Sequence, residues 1–181
     1  MGNPCIYFPN TYKYIKFIWF KKIMEKIASF QVDHTKFWVG MYISRIDEDI
    51  ITYDIRMVKP NGWNYLTPSS LHTIEHLFAT YVRNSQYSNK IIYVGPMGCR
   101  TGFYFLTRDT LPQEESIQLI KETFQFIATY EWEIPGSTIE ECGNYLDHDL
   151  ATAKKEVISL LNKLENYTPE MLNYERHFDN D

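Results

Sequence analysis

Two histidines four residues apart, with a glutamate just before the second, stand at His72-Thr73-Ile74-Glu75-His76. On a helix, residues four apart lie one above the other, so both imidazoles can aim at one point. Two neutral imidazoles converging in this way begin a transition-metal site. Glu75 is close enough to move protons without being needed as a ligand. The pentad also fits H-x-x-E-H, the inverted zinc-peptidase motif, in which Glu75 would be the base for a metal-activated water. A chance pairing is the plainer reading. Against it, Ile74, Leu77, Phe78, Tyr81 and Val82 make the helix apolar nearly all round. Histidines and a carboxylate buried there are costly unless something compensates them.

A third ligand is needed, and Cys142 in Glu141-Cys142-Gly143-Asn144-Tyr145 is the natural candidate, beside a glycine that lets backbone approach an ion. Two histidines and one cysteine leave a tetrahedral ion one open position. A closed, non-catalytic metal module would need Cys5 as its fourth donor. Cys99 lies in the turn Pro96-Met97-Gly98-Cys99 beside Arg100, a cation that favours a thiolate. Taken alone, either cysteine reads as a small buried residue. Arg56 falls on the strand face opposite Ile51, Tyr53, Ile55 and Met57. It reads either as an exposed arginine or as a rigidly mounted substrate anchor.

The elements that must position these groups follow from pattern. Residues 39–46 and 50–58 read as strands joined at Asp47-Glu48-Asp49, and Pro60-Asn61-Gly62 ends the second. Pro68-Ser69-Ser70 supplies the N-cap of the histidine helix, which runs to about Asn84. Residues 90–94 and 101–107 are strands. Residues 112–130 form an amphipathic helix, with Asp109 or Thr110 as cap and Ile117, Ile120, Phe124 and Ile127 as its apolar stripe. A last helix covers residues 147–164. This mixed order predicts an α+β fold, an antiparallel β-sheet covered by α-helices in a two-layer single domain.

Residues 1–23 contain no Asp or Glu and carry Lys13, Lys16, Lys21 and Lys22. They read as an extension outside the fold, upstream of a second candidate start at Met24, with the domain spanning 24–181. A net charge of -5 offers no basic face for nucleic acid. No apolar run approaches the roughly 20 residues that span a bilayer. Three cysteines without a secretory signal fit thiols in a reducing compartment, which places the protein in the cytoplasm.

Five segments in order resemble S-ribosylhomocysteine lyase, the LuxS family. They are Ser29-Phe30-Gln31-Val32-Asp33-His34-Thr35-Lys36, Tyr53-Asp54-Ile55-Arg56, Leu71-His72-Thr73-Ile74-Glu75-His76-Leu77, Pro96-Met97-Gly98-Cys99-Arg100-Thr101-Gly102-Phe103-Tyr104 and Glu141-Cys142-Gly143-Asn144-Tyr145. The resemblance implies one divalent metal per subunit, Fe(II) with Zn or Co as substitutes, held by His72, His76 and Cys142. It implies that Cys99 and Glu75 are the acid/base pair and that Ser29, His34 and Arg56 contact the substrate, S-ribosylhomocysteine. It further implies a homodimer whose two active sites are built from both subunits at the interface. The products would be homocysteine and 4,5-dihydroxy-2,3-pentanedione, the precursor of autoinducer-2. Two departures stand out. Residues 1–23 have no family counterpart, and Tyr93 stands where the family commonly has an aspartate. Without that anion nearby, Cys99 is expected to ionise more readily.

Overall fold

The computed structural model describes residues 33–36 and 38–174. Its strands are β1 (Gly40–Asp47), β2 (Ile50–Arg56), β3 (Ile91–Pro96) and β4 (Gly102–Arg108), and its α-helices are α1 (Pro68–Arg83), α2 (Gln113–Thr129) and α3 (Leu150–Leu164). The strands form one antiparallel sheet in the order β1-β2-β4-β3. Helices cover it, which is the α+β arrangement the sequence predicts.

Alternation along β2 sends Tyr53 and Ile55 to the helical side, where Phe103 and Phe105 of β4 join them, all fully buried. Phe78 of α1 is central there. Its ring centroid lies 5.6 Å from that of Phe105, 6.0 Å from Phe103 and 5.5 Å from Phe124 of α2. The expected α2 stripe of Ile117, Ile120, Phe124 and Ile127 is buried in full, and Val157, Leu160 and Leu164 of α3 complete the layer. This packing fixes α1 as a rigid mount for its histidines. Among the described residues, no helix is long and apolar enough to cross a membrane.

Several local expectations are corrected. The N-cap of α1 is Thr67, whose hydroxyl accepts from the Ser70 amide, while Pro68 occupies the first turn, where no amide donor is required. The cap of α2 is Pro112, with no side-chain hydrogen bond, and neither Asp109 nor Thr110 serves. The last helix starts at Leu150 and is capped by Asp149, so residues 147–149 remain outside it. β2 ends at Arg56, because the amides of Met57 and Val58 both turn to the Thr101 carbonyl.

The second face of β2 is not solvent. Thr52, Asp54 and Arg56 are all buried, Arg56 with only 3% of its surface exposed. The exposed-arginine reading is therefore wrong. A guanidinium this deep needs a partner, and Asp54 provides one.

Candidate metal centre and thiol site

His72 and His76 project from one face of α1, their rings 4.6 Å apart and nearly perpendicular. The loop between α2 and α3 wraps over them. The Pro135 carbonyl accepts from His76 Nδ1 at 2.8 Å, and the Asp147 carbonyl accepts from His72 Nδ1 at 2.9 Å. A carbonyl can only accept, so each Nδ1 carries a proton and each Nε2 is the ring nitrogen left to face an ion. Cys142 lies between the two carbonyls in the chain. Its Sγ stands 3.3 Å from His72 Nε2 and 3.9 Å from His76 Nε2. Nitrogen and sulfur donors on one tetrahedral ion stand about 3.5 Å apart. The two histidines and Cys142 therefore fit a transition-metal ion in both chemistry and spacing.

The glycine that this loop requires is Gly136, not Gly143. Gly136 has a left-handed φ of 72°, and a Cβ there would sit 3.3 Å from His76 Nδ1, whereas a Cβ on Gly143 would meet nothing.

A fourth group, His148, was not singled out from the sequence. One of its ring nitrogens belongs to a cluster with His72, His76 and Cys142 in which all donor atoms lie within 4.8 Å of one another. Its Nδ1 is 3.3 Å from the Thr73 hydroxyl. That hydroxyl already donates to the Ser69 carbonyl and accepts from the Asp149 amide. Thr73 has no proton left to give, so Nδ1 donates and Nε2 is a buried lone pair with no partner. Burial, then the neighbouring His72 and His76, hold His148 below the ordinary histidine range and favour its neutral form. The His148 ring stacks on His72 at 4.2 Å with planes only 21° apart. An ion in the plane of one ring cannot also lie in the plane of the other. His148 therefore borders the other three donors without its ring plane converging with that of His72.

Cys99 belongs to a second group. The turn between β3 and β4 is closed by the Arg100 amide donating to the Met97 carbonyl, with Arg100 itself left-handed at φ 58°. Cys99 Sγ is exposed and lies 3.0 Å from Thr101 Oγ1. Arg56 Nη1 donates to that hydroxyl at 2.7 Å and lies 3.8 Å from the sulfur. Thr101 thus accepts from the arginine and is placed to donate on to the thiol. Burial disfavours the Arg56 charge, but the Asp54 carboxylate outweighs it, and the arginine pKa is raised. Gly102 permits this contact, since a Cβ there would collide with the Ile55 carbonyl and push β4 away from Arg56.

The residues predicted from sequence thus fall into two groups. His72, His76 and Cys142 meet in one, with Glu75 half-buried on α1 beside them, and Arg56 and Cys99 meet in the other. Among the described residues, no hydrogen bond joins Cys99 to the histidine group. His34 is half-buried in the turn at Asp33–Lys36, where Thr35 donates twice to Asp33. Ser29, Cys5, the candidate start at Met24 and the whole of 1–23 lie outside the described residues. Tyr93 is half-exposed with its phenol over Gly95, and no hydrogen bond links it to Cys99. Thr101 and Asp54, like His148, were missed as site residues, although both lie within segments that carry the family resemblance.

The family model for S-ribosylhomocysteinase (LuxS) matches residues 27–171. A protein of Phocaeicola vulgatus named S-ribosylhomocysteine lyase is 47% identical over 157 residues, covering 83% of this chain and 98% of its own. Proteins of the same name from Finegoldia magna and Clostridium acetobutylicum are 44% and 42% identical, each covering 83% of this chain and 99% of their own. With a family model over most of its length and relatives at 42–47% identity, the chain belongs to the S-ribosylhomocysteinase (LuxS) family of carbon–sulfur lyases.

Proposed function

We propose that this protein cleaves the thioether of S-ribosylhomocysteine to homocysteine and 4,5-dihydroxy-2,3-pentanedione, the autoinducer-2 precursor. It does so as a cytoplasmic homodimer with one divalent metal per subunit. The observation that carries the reading is the presence in one chain of a convergent His72–His76–Cys142 donor set and of a separate thiol, Cys99, backed by a buried arginine. Fe(II) is the ion proposed, with Zn or Co able to replace it, because imidazole and thiolate donors suit all three. When bound, the ion supplies Lewis-acid polarisation of the sugar's carbonyl and hydroxyl oxygens.

The remaining work is proton transfer. The sulfur is on C5 and the latent aldehyde is C1, so sulfur can leave only once a ketone at C3 acidifies the C4 proton. Two enediolate isomerisations move the carbonyl from C1 to C3. The first takes a proton from C2 and returns one to C1, and the second takes a proton from C3 and returns one to C2. Removal of the C4 proton then expels the C5 sulfur, which leaves protonated as homocysteine, and the resulting enol gains a proton at C5. Cys99 and Glu75 are the proposed carriers. Arg56 and Thr101 support Cys99, and Ser29, His34 and Arg56 hold the substrate.

Cys99 and Glu75 belong to separate groups, which favours a site assembled from two chains. Exposed apolar side chains flank both groups. Ile139 and Leu146 lie on either side of Cys142, while the 91%-exposed Trp63 is close in sequence to Leu66, which bonds the turn holding Cys99. Residues 1–23 are proposed to lie outside the catalytic domain. A peptidase built on H-x-x-E-H would use Glu75 but would leave the Arg56–Thr101–Cys99 group idle. Free thiol released from S-ribosylhomocysteine by anaerobically purified protein, measured beside its metal content, tests the proposal. Peptide cleavage without thiol release would replace it.

A further inference from the structure

Tyr174 lies beyond the family match, which ends at residue 171, yet it reaches the Asp54 carboxylate that holds the arginine facing Cys99. The short 3-10 turn Pro169–Leu172 packs against β1 and delivers the chain to the sheet face opposite the helices. There the Tyr174 ring stacks on Tyr42 of β1, centroids 4.7 Å apart and planes within 10°. Its hydroxyl donates to Asp54 Oδ2 at 2.6 Å. The same oxygen accepts from Arg56 Nη2 at 2.6 Å and from Nε at 3.2 Å, while Oδ1 is buried with no partner.

We infer that Tyr174 is a positioning residue for Arg56, acting through Asp54; this rests on the reading of Arg56 and Cys99 given above. Three donors converge on one carboxylate oxygen, and two of them belong to the arginine being positioned. The guanidinium is a rigid fork, so turning Nε and Nη2 with the carboxylate also turns Nη1. Tyr174 is held independently by its stack on Tyr42, so it is the donor that sets the carboxylate's rotation. With that rotation fixed, Nε and Nη2 are committed to Asp54 and Nη1 is aimed at Thr101 and Cys99. Without the phenol hydroxyl, the carboxylate is free to offer Oδ1 instead, and the aim of Nη1 is lost.

The Tyr174→Phe variant keeps the ring stack and removes only the hydroxyl. Its test is the rate at which iodoacetamide alkylates Cys99, followed on the Cys99 peptide by mass spectrometry, together with kcat on S-ribosylhomocysteine and the melting temperature. Alkylation and kcat should each fall about fivefold, the scale of one net hydrogen bond, with the melting temperature close to the parent's. Tyr174→Ala should add a loss of stability from the missing stack. Unchanged alkylation and kcat in Tyr174→Phe would overturn the inference, even if Tyr174→Ala were impaired, because the ring alone would then suffice. Failure of the underlying reading shows separately, as full turnover by Cys99→Ala.

Discussion

His72 donates its Nδ1 proton to the carbonyl of Asp147, 2.9 Å away and 75 residues further along the chain. Together with the Pro135 contact to His76, it makes one loop responsible for both imidazole tautomers and for the thiol between them. A single chain segment thus orients both imidazoles and supplies the thiol of the candidate donor set.

The metal prediction follows from that geometry. Alanine at His72, His76 or Cys142 should lower bound metal by at least an order of magnitude and abolish turnover, since two donors remain where three are needed. Elemental analysis of protein purified without added chelator measures this. A Cys142→Ala protein carrying a full complement of metal and working at the parental rate would contradict the assignment.

The proposed division of the site between subunits gives a sharper test. Cys99→Ala and Glu75→Gln should each keep fold and metal while losing turnover by a factor of about 100 or more. Mixing Cys99→Ala with His76→Ala subunits should restore activity, because half the dimers then combine one intact metal group with one intact thiol. Random reassortment sets the recovery at about a quarter of the parental rate. No recovery on mixing would mean that each site is built within one chain.

The sequence made the candidate donor set legible because helical spacing is local, so His72 and His76 could be paired without knowing the fold. Cys142 needed only a search for a soft donor near glycine, although the glycine that matters is Gly136. His148 was hidden because its role depends on Thr73, whose spent hydroxyl proton cannot be read from residue types. Burial of Arg56 was equally invisible, because β2 is covered on both faces and alternation alone assigned its second face to water. The thiol group depends on register. Only the pairing of Arg56 with Gly102 brings Thr101 and Cys99 under the guanidinium.

That register is the target of a stability prediction. In Gly102→Ala, the new methyl group collides with the Ile55 carbonyl, a backbone atom that cannot move without parting β2 from β4. A loss of about 3 kcal/mol in denaturant unfolding is expected, the scale of severe overpacking. Alkylation of Cys99 should change as well, because Thr101 precedes the shifted residue. Parental stability in this variant would show that the strands have room to separate.

The amino-terminal stretch gives an independent prediction. The family match begins at residue 27, and residues 1–23 lie outside every motif. A chain starting at Met24 should therefore turn over S-ribosylhomocysteine at the parental rate and form the same dimer, as measured by sedimentation. Loss of the dimer would assign the extension to the interface.

Glu156 of α3 supplies a pH dependence that is separate from catalysis. Burial raises its pKa, and the polar groups of Ser70 and Thr67 at the start of α1 only partly offset this, with Oε2 left buried and unpartnered. A carboxyl whose pKa is raised on folding prefers to be protonated in the folded state. Its stabilising contribution is therefore complete below the unfolded value and is lost as pH rises through the folded value. At neutral pH the ionised side chain is a net cost, and Glu156→Gln removes that cost while keeping the shape. The variant should melt about 2 °C above the parent at pH 7.5, and the gap should close as pH falls toward 4. Thermal unfolding followed by circular dichroism at several pH values would measure it. A gap that widened toward acid pH would reverse the sign and show that the ionised carboxylate stabilises the start of α1.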